Sequence, residues 1–141
     1  MKEIQKQLSI AIVDRKDEDV RILLEQGADP NGIDHIGWTP LMVAAEYENT
    51  KIIKLLFSYG AEINRTDKYG QTPLHIAVDI SIDGAVQTDG VQGDESIDII
   101  LCLLEHGADI TAKDNKEKSP LDWAYEYKSE KIIKLLQEYK S

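Results

Sequence analysis

The sequence predicts an all-α solenoid of four stacked helix–turn–helix units, because short motifs recur along it at fixed spacings. The hexapeptide Lys-Ile-Ile-Lys-Leu-Leu occurs at 51–56 and again 80 residues later, at 131–136. Thr-Pro-Leu at 39–41 recurs after 33 residues at 72–74, and as Ser-Pro-Leu after 47 more at 119–121. A period of 33 residues that tolerates a longer copy indicates repeated units that bury their apolar faces against each other. The 141 residues have room for four such units.

Each unit contains the start and stop residues of two helices. In the unit that begins at residue 67, Gly70 suits a turn that needs positive φ. Thr72 is a good helix cap, and Pro73 fits the first helical turn, where no amide donor is needed. In the unit before it, the isoleucines and leucines of 52–56 predict the apolar stripe of a second helix. Gly60 then ends that helix, since glycine readily adopts the left-handed conformation.

The pattern Asp-x-x-Gly-x-Thr-Pro-Leu…Ala…Leu-Leu…Gly-Ala in residues 34–66 resembles the ankyrin-repeat family. Thr-Pro-Leu-His at 72–75 is the most specific string of that resemblance. The copies cover about 1–33, 34–66, 67–113 and 114–141, and the first of them is degenerate. The resemblance implies a single ankyrin-repeat domain, in which hairpin-like fingers join the helix pairs and the stack has a concave face.

The departures from the pattern give further expectations. Both ends have polar residues, which predicts caps with a polar outer face. Glu117 replaces the turn glycine, so the last finger is expected to be strained or differently shaped. Glu48 stands where the family usually has glycine between the helices. The insertion within 81–94 is rich in glycine and predicts a loop, with a helical extension possible at each end. It is either a functional protrusion or a tolerated surface insertion.

Charge narrows the class of partner. The net charge is −10, and the stretch 69–112 contains no Lys or Arg. Nucleic acid is therefore a poor partner, since binding it requires basic groups that neutralise phosphates. A basic protein is favoured instead. The alternative is that the acidity only keeps the protein soluble.

The sequence predicts a cytoplasmic protein that does not enter the membrane. The start of the chain has no signal-peptide pattern, and the longest apolar run, 97–104, is too short to span a bilayer. Cys102 is the single cysteine, which fits a reducing compartment.

No set of residues predicts catalysis, a cofactor or a metal site. His35, His75 and His106 are scattered without ligand spacing. The resemblance implies that His75 ties a helix start to a neighbouring finger. Cys102 lies in an apolar run and is expected to be a small buried hydrophobic residue. Four acidic residues in or beside the insertion have the wrong spacing for a calcium loop; they are Asp83, Asp89, Asp94 and Glu95.

The resemblance also selects residues that would face a partner from the fingers and first helices. They are Ile36, Trp38, Glu46, Tyr47, Tyr69, Gln71, Asp79, Ile80, Glu126 and Tyr127. Aromatic residues are enriched at interface hot spots, and the carboxylates would suit a basic partner. The alternative is that Trp38 and Tyr69 fold back onto adjacent fingers and serve packing alone.

These features predict a non-catalytic adaptor or inhibitor that binds one protein through the concave face and is itself a monomer. Small size, acidity and the insertion are similar to bacterial ankyrin proteins proposed as immunity partners of toxins. The alternative is a structural scaffold that self-associates or stacks in a larger complex.

Overall fold

The computed structural model describes residues 2–87 and 97–139, and the side chains of all of these except 82–87. The described residues form eight α-helices and no β-strand, which confirms the predicted all-α class. The helices are α1 (Glu3–Val13), α2 (Asp17–Glu25), α3 (Pro40–Glu46), α4 (Thr50–Ser58), α5 (Pro73–Gln87), α6 (Asp98–Glu105), α7 (Pro120–Glu126) and α8 (Glu130–Glu138).

Consecutive helices form four packed pairs: α1 with α2, α3 with α4, α5 with α6, and α7 with α8. The first helices of neighbouring pairs pack on each other in the order α1, α3, α5, α7, and they form an inner layer. In the outer layer, α2 packs on α4 and α4 on α6. The pairs therefore stack in chain order, as a solenoid requires.

Equivalent positions show how each pair is buried by its neighbours. One leucine of the outer helix is fully buried in the last three pairs, as Leu56, Leu103 and Leu136. The equivalent residue of the first pair, Leu23, is only partly buried. The first pair has no preceding pair within the described chain, and it is the one pair in which this leucine is not fully buried. In the other three pairs the leucine therefore faces the preceding pair.

The two ends of the stack differ. At the C-terminal end the exposed outer-helix side chains are polar, and Gln137 donates a 2.5 Å hydrogen bond to the hydroxyl of Tyr125, so the polar cap expected there is confirmed. At the N-terminal end, Ile10 and Ile22 are 51% and 39% exposed. The expected polar cap is therefore only partly present at that end. Exposed polar side chains lie in α1, in the α1–α2 turn and in α2, but they surround apolar side chains that no neighbouring pair covers within the described residues.

Side chains cap the inner helices where the Thr-Pro and Ser-Pro strings predict. Thr39 accepts a 3.3 Å hydrogen bond from the amide of Met42 at the start of α3. Ser119 and Asp122 form a reciprocal capping box at the start of α7, with hydrogen bonds of 3.1 and 2.9 Å. Such caps satisfy amides that lack a partner within the helix.

His75 joins the start of α5 to the fourth helix pair. Its Nδ1 accepts a 3.0 Å hydrogen bond from the amide of Thr72, so Nε2 carries the proton. Nε2 then donates to the carbonyl oxygen of Lys118 at 2.9 Å, in the neighbouring finger. The role implied by the resemblance is confirmed. Burial lowers the pKa of His75, which keeps the ring neutral.

One aspartate shapes each finger. The fingers are residues 34–38, 67–71 and 114–118, which begin at Asp34, Asp67 and Asp114. In each, the aspartate amide donates to the carbonyl four residues on, and its carboxylate accepts the amides two and four residues on. The carboxylate therefore supplies hydrogen bonds that a short loop cannot make with its own backbone.

Glu117 occupies the left-handed conformation that glycine adopts in the other fingers. Its φ is 64°, against 86° at Gly37 and 76° at Gly70. Its amide still donates to the carbonyl of Asp114 at 3.0 Å, so the finger keeps its shape and a non-glycine residue carries the strain. Glu48, between α3 and α4, also stands at a position where glycine is usual, and it too adopts the left-handed conformation, with a φ of 53°.

The insertion begins as an extension of a helix. Helix α5 has 15 residues, whereas its counterparts α3 and α7 have seven each. The expected helical extension is thus present on the first side of the insertion, up to Gln87. The rest of the predicted loop, from 88 to 94, lies outside the described residues.

His75 should make stability depend on pH. Its folded-state pKa lies below its unfolded value, so below the ordinary histidine range the unfolded chain binds more protons. Stability is then fully present above that range and falls as the pH drops toward the folded-state pKa. The contribution has a slope of at most about 1.4 kcal/mol per pH unit. Urea titrations of the wild type and of His75→Gln at pH 7.5 and 5.5 measure it, and an equal loss in both proteins would contradict the role of His75.

Replacing Glu117 by glycine should stabilise the protein. Glycine removes the left-handed penalty but adds chain entropy to the unfolded state, so we expect a net gain of about 0.5–1 kcal/mol. Chemical denaturation measures the gain. Lys116→Gly, in the same finger but without positive φ, is the matched control and should destabilise. A destabilising Glu117→Gly would show that the Glu117 side chain has a role that its backbone conformation does not reveal.

Candidate protein-binding face

The ten predicted partner-binding residues lie on the fingers and on the inner helices. We call the surface formed by the fingers and by the ends of α1, α3, α5 and α7 the concave face, after the shape that the resemblance implies. Ile36, Trp38, Tyr69 and Gln71 lie on fingers. The other six lie on α3, α5 and α7 or directly after α3 and α7; they are Glu46, Tyr47, Asp79, Ile80, Glu126 and Tyr127.

Three carboxylates form a row along the inner helices. Glu46, Asp79 and Glu126 are separated by 33 and 47 residues, so they occupy the same position in three successive helix pairs. Because α3 packs on α5 and α5 on α7, equivalent positions follow one another across the stack. We call these three residues the carboxylate row.

The members of the carboxylate row differ in what surrounds them. Glu126 pairs with Lys118, whose Nζ lies 2.5 Å from its carboxylate. Asp79 accepts a 3.4 Å hydrogen bond from the hydroxyl of Tyr127. Within the described part of the chain, no Lys or Arg pairs with Glu46, and partial burial raises its pKa. Glu46 is thus a partly desolvated carboxylate to which a cation from outside would be attracted.

Large side chains stand beside this row. Tyr47 and Tyr127 follow Glu46 and Glu126 directly and are 39% and 47% exposed. On the fingers, Ile36 and Tyr69 occupy equivalent positions and are 46% and 56% exposed. Ile80 is only partly exposed and packs against the core. Exposed large side chains therefore occur in each of the second, third and fourth repeats, where one partner could contact several of them.

Trp38 is a packing residue. It is partly buried against the core, and its indole Nε1 donates to the carboxylate of Asp67 at 3.1 Å. It thus joins one finger to the next, as the alternative interpretation of the sequence had it. Tyr69 is the more exposed of the two residues that this interpretation named. Trp123 donates to Asp114 at 3.2 Å in a similar way.

A groove of about 620 Å³ lies between the last two fingers and α7. We call it the tyrosine groove; Tyr69, Gln71, Asn115, Lys118, Trp123, Glu126 and Tyr127 are among the residues that line it. It contains four of the ten predicted residues. Asn115 fixes its floor: the Asn115 amide donates to the carbonyl of Tyr69 at 2.9 Å, and its side chain donates to the carbonyl of Lys68 at 2.8 Å.

Gly70 allows the last two fingers to approach this closely. A Cβ atom at residue 70 would lie 2.6 Å from Oδ1 of Asn115 and 2.9 Å from its backbone nitrogen. The fingers would have to move apart to admit it, and the floor of the tyrosine groove would open.

The sequence did not reveal a second groove, of about 350 Å³, at the N-terminal end of the concave face. We call it the aliphatic groove; it is lined by Ile10, Val13 and Val43, with Lys6, Ser9, Asp14, Asp34 and His35 around them. Val13 occupies the position of the carboxylate row in the first helix pair. A helical pattern assigns Ile10 to the core, because the equivalent Val43 is buried. Ile10 belongs to the first helix pair, which has no preceding pair within the described residues.

Cys102 and His106 both have structural roles in the fold. Cys102 is buried, and burial raises the pKa of its thiol, which fits the expected small hydrophobic role. His106 donates from Nδ1 to the carbonyl of Cys102 at 2.8 Å and stacks on Phe57 with the ring centres 4.2 Å apart. Residues 2–87 and 97–139 contain no cluster of metal-ligating side chains. The acidic residues weighed for calcium lie outside the described side chains.

Within the part of the chain that the structure describes, no helix has both the length and the apolar character needed to cross a membrane.

Comparison with known proteins identifies the repeat. A family model described as ankyrin repeats, in three copies, matches residues 8–87, and one described as an ankyrin repeat matches residues 69–115. No curated protein matches the chain. Proteins of this kind are generally interaction modules that bind other proteins and have no catalytic role. The first match alone covers more than half of the sequence, and the chain belongs to the ankyrin-repeat family.

Proposed function

We propose that this protein is a non-catalytic adaptor or inhibitor that binds a basic protein through its concave face. The observation that carries the proposal is the carboxylate row, with one exposed tyrosine beside it in each of the second, third and fourth repeats: Tyr47, Tyr69 and Tyr127. A partner segment lying along the stack would meet a carboxylate and a large side chain at each step.

The state of Glu46 supports a cationic partner. Its carboxylate is partly desolvated without an internal cation, so a Lys or Arg from a partner would gain more there than at a fully solvated acid. The net charge of −10 would speed the encounter with such a partner. Glu126 is already paired with Lys118, so a cation from a partner would gain less at Glu126 than at Glu46.

The tyrosine groove supplies the apolar part of the contact. Tyr69, Trp123 and Tyr127 line it, and the two tyrosines are about half exposed. Tyrosine buries a large area at little entropic cost, which is why it is frequent at hot spots. Trp38 offers less to such a contact than the two tyrosines, because it is partly buried and its indole N–H is already bonded to Asp67.

We further propose that the partner is a toxin and that the protein acts as its immunity protein. It would then inhibit by covering an active cleft that is basic. The support is the acidity of the chain, its small size and the aligned carboxylates. The proposal extends neither to catalysis nor to a cofactor or metal.

Self-assembly is the second candidate function. The observation that favours it is the exposure of Ile10 and Ile22 at the N-terminal end of the stack, far along the chain from the tyrosine groove.

Substituting Tyr69 and Tyr127 together by alanine should weaken partner binding at least about 100-fold, because each hot-spot truncation costs about 2 kcal/mol or more. The partner is first captured from native lysate at low salt and identified, and its affinity for each variant is then measured by calorimetry. Tyr139→Ala, which removes a tyrosine of similar exposure (43%) from the outer layer, is the matched control.

Four further results bear on the binding site. Glu46→Gln should weaken binding, and the affinity of the wild type should fall as salt is raised. Unchanged binding in the double tyrosine variant, with an unchanged melting curve, would show that the partner does not use this face. A large loss of stability would instead make Tyr69 and Tyr127 packing residues.

Co-expression tests the immunity role. If a captured partner is toxic to cells, the wild-type protein should restore growth, and the double tyrosine variant should fail to do so at equal expression. A partner that is not toxic, or protection without a complex on gel filtration, would exclude the immunity role but leave partner binding intact.

A further inference from the structure

The outer side of the first helix pair has an apolar patch that the concave face does not account for. A groove of about 310 Å³ between α1 and α2 is lined by Ile10, Ala11, Ile22 and Leu23. Gln7, Asp14, Lys16 and Asp19 surround them. We call these eight residues the N-terminal patch. The five exposed large aliphatic residues of the described chain all lie before residue 37, whereas the exposed aromatic residues are tyrosines from 47 onward.

The N-terminal patch lies where, in the other three repeats, a preceding helix pair packs. In the other three pairs, the positions equivalent to Leu23 are fully buried beneath a preceding pair. The position of Asp19 is likewise occupied by a buried isoleucine in those pairs, as Ile52, Ile99 and Ile132. The first pair therefore presents a surface of the kind that takes another helix pair, with a charged residue at one point in place of an isoleucine.

The charges around the patch are of both signs and lack internal partners. No hydrogen bond or ion pair within the described residues engages the side chains of Asp14, Lys16 or Asp19. A two-fold interface pairs residue i of one copy with residue j of the other and j with i, so a patch that carries both Lys16 and aspartates can pair opposite charges twice across the axis. A basic partner would satisfy the two aspartates but would leave Lys16 facing a like charge.

We infer that the N-terminal patch is a self-association surface, whose occupant is the same patch of a second copy. A two-fold axis parallel to α1 sets α1 of one copy against α2 of the other. Ile10 then packs on Ile22 and Leu23 of the other copy, and Lys16 meets the other copy's Asp14 and Asp19. The two α1–α2 turns lie side by side. This inference does not depend on partner binding at the concave face.

The dimer is expected to be weak. Four apolar side chains per copy are few for an interface, and two copies of charge −10 repel each other at long range. Sedimentation equilibrium of the full chain, at physiological salt and from about 10 µM to about 1 mM protein, should therefore show a reversible monomer–dimer equilibrium. A single monomeric species across that range would overturn the inference.

Two substitutions locate the contact. Ile10→Ser should weaken the dimer at least about tenfold, because the side chain becomes buried on association. Ile33→Ser is the matched control: Ile33 is 57% exposed and lies outside the N-terminal patch, so the dimer should keep the wild-type affinity. Circular dichroism confirms that both variants are folded. A dimer that Ile10→Ser leaves unchanged would place the interface elsewhere and overturn the inference.

Charge reversal tests the two-fold arrangement. Lys16→Glu alone should weaken the dimer severalfold, because it sets three anions against three. Adding Asp19→Lys restores opposite charges across the axis and should recover most of the affinity. If the double variant is as weak as Lys16→Glu, the proposed pairing is wrong. A negative result in these tests would not bear on partner binding at the tyrosine groove, since none of the three substituted positions lines that groove.

Discussion

The concave face depends on the hydrogen bonds that a finger aspartate makes to backbone amides. At Asp114, the carboxylate accepts the amides of Lys116 and Lys118 at 2.9 and 3.0 Å and also the indole of Trp123. Burial alone would raise the pKa of this carboxyl. The amide hydrogen bonds outweigh burial and lower the pKa, so the group stays ionised and keeps its acceptors. Without the carboxylate, two backbone amides of each finger would lack a partner.

The same interaction connects neighbouring fingers. Asp67 holds its own finger with one oxygen and accepts Trp38 of the preceding finger with the other. Asn115 then binds backbone carbonyls of the finger before it. The finger positions are therefore fixed relative to one another, which reduces the ordering cost of binding at the tyrosine groove. A loop that relied on its own backbone alone would not give Tyr69 so defined a place.

The sequence was sufficient for the fold because the repeat supplies the same evidence several times. Thr39, His75 and Ser119 have the roles that their strings predict. The role of a single residue was harder to predict where its contacts are with residues distant in the sequence. The sequence pattern predicts Trp38 as a contact residue, but it gives no sign that Asp67, 29 residues away, accepts a hydrogen bond from its indole. The exposed apolar side chains at the N-terminal end could not be predicted for a related reason. A helical period identifies Ile10 and Leu23 as apolar positions of an inner and an outer helix, but it does not tell whether a neighbouring pair covers them. That information lies in the order of the stack, and the exposure of Ile10 results from its place in the first pair.

The two surfaces of the first pair are physically linked. Ile10 and Asp14 line both the N-terminal patch and the aliphatic groove, so a second copy bound to the patch would cover two side chains of the groove. A partner that reached the aliphatic groove would therefore compete with self-association, and each equilibrium would weaken the other to the same extent. A partner confined to the tyrosine groove shares no lining residue with the patch, and its affinity would not depend on protein concentration through the dimer. How far a partner extends along the stack thus decides whether binding and self-association are coupled.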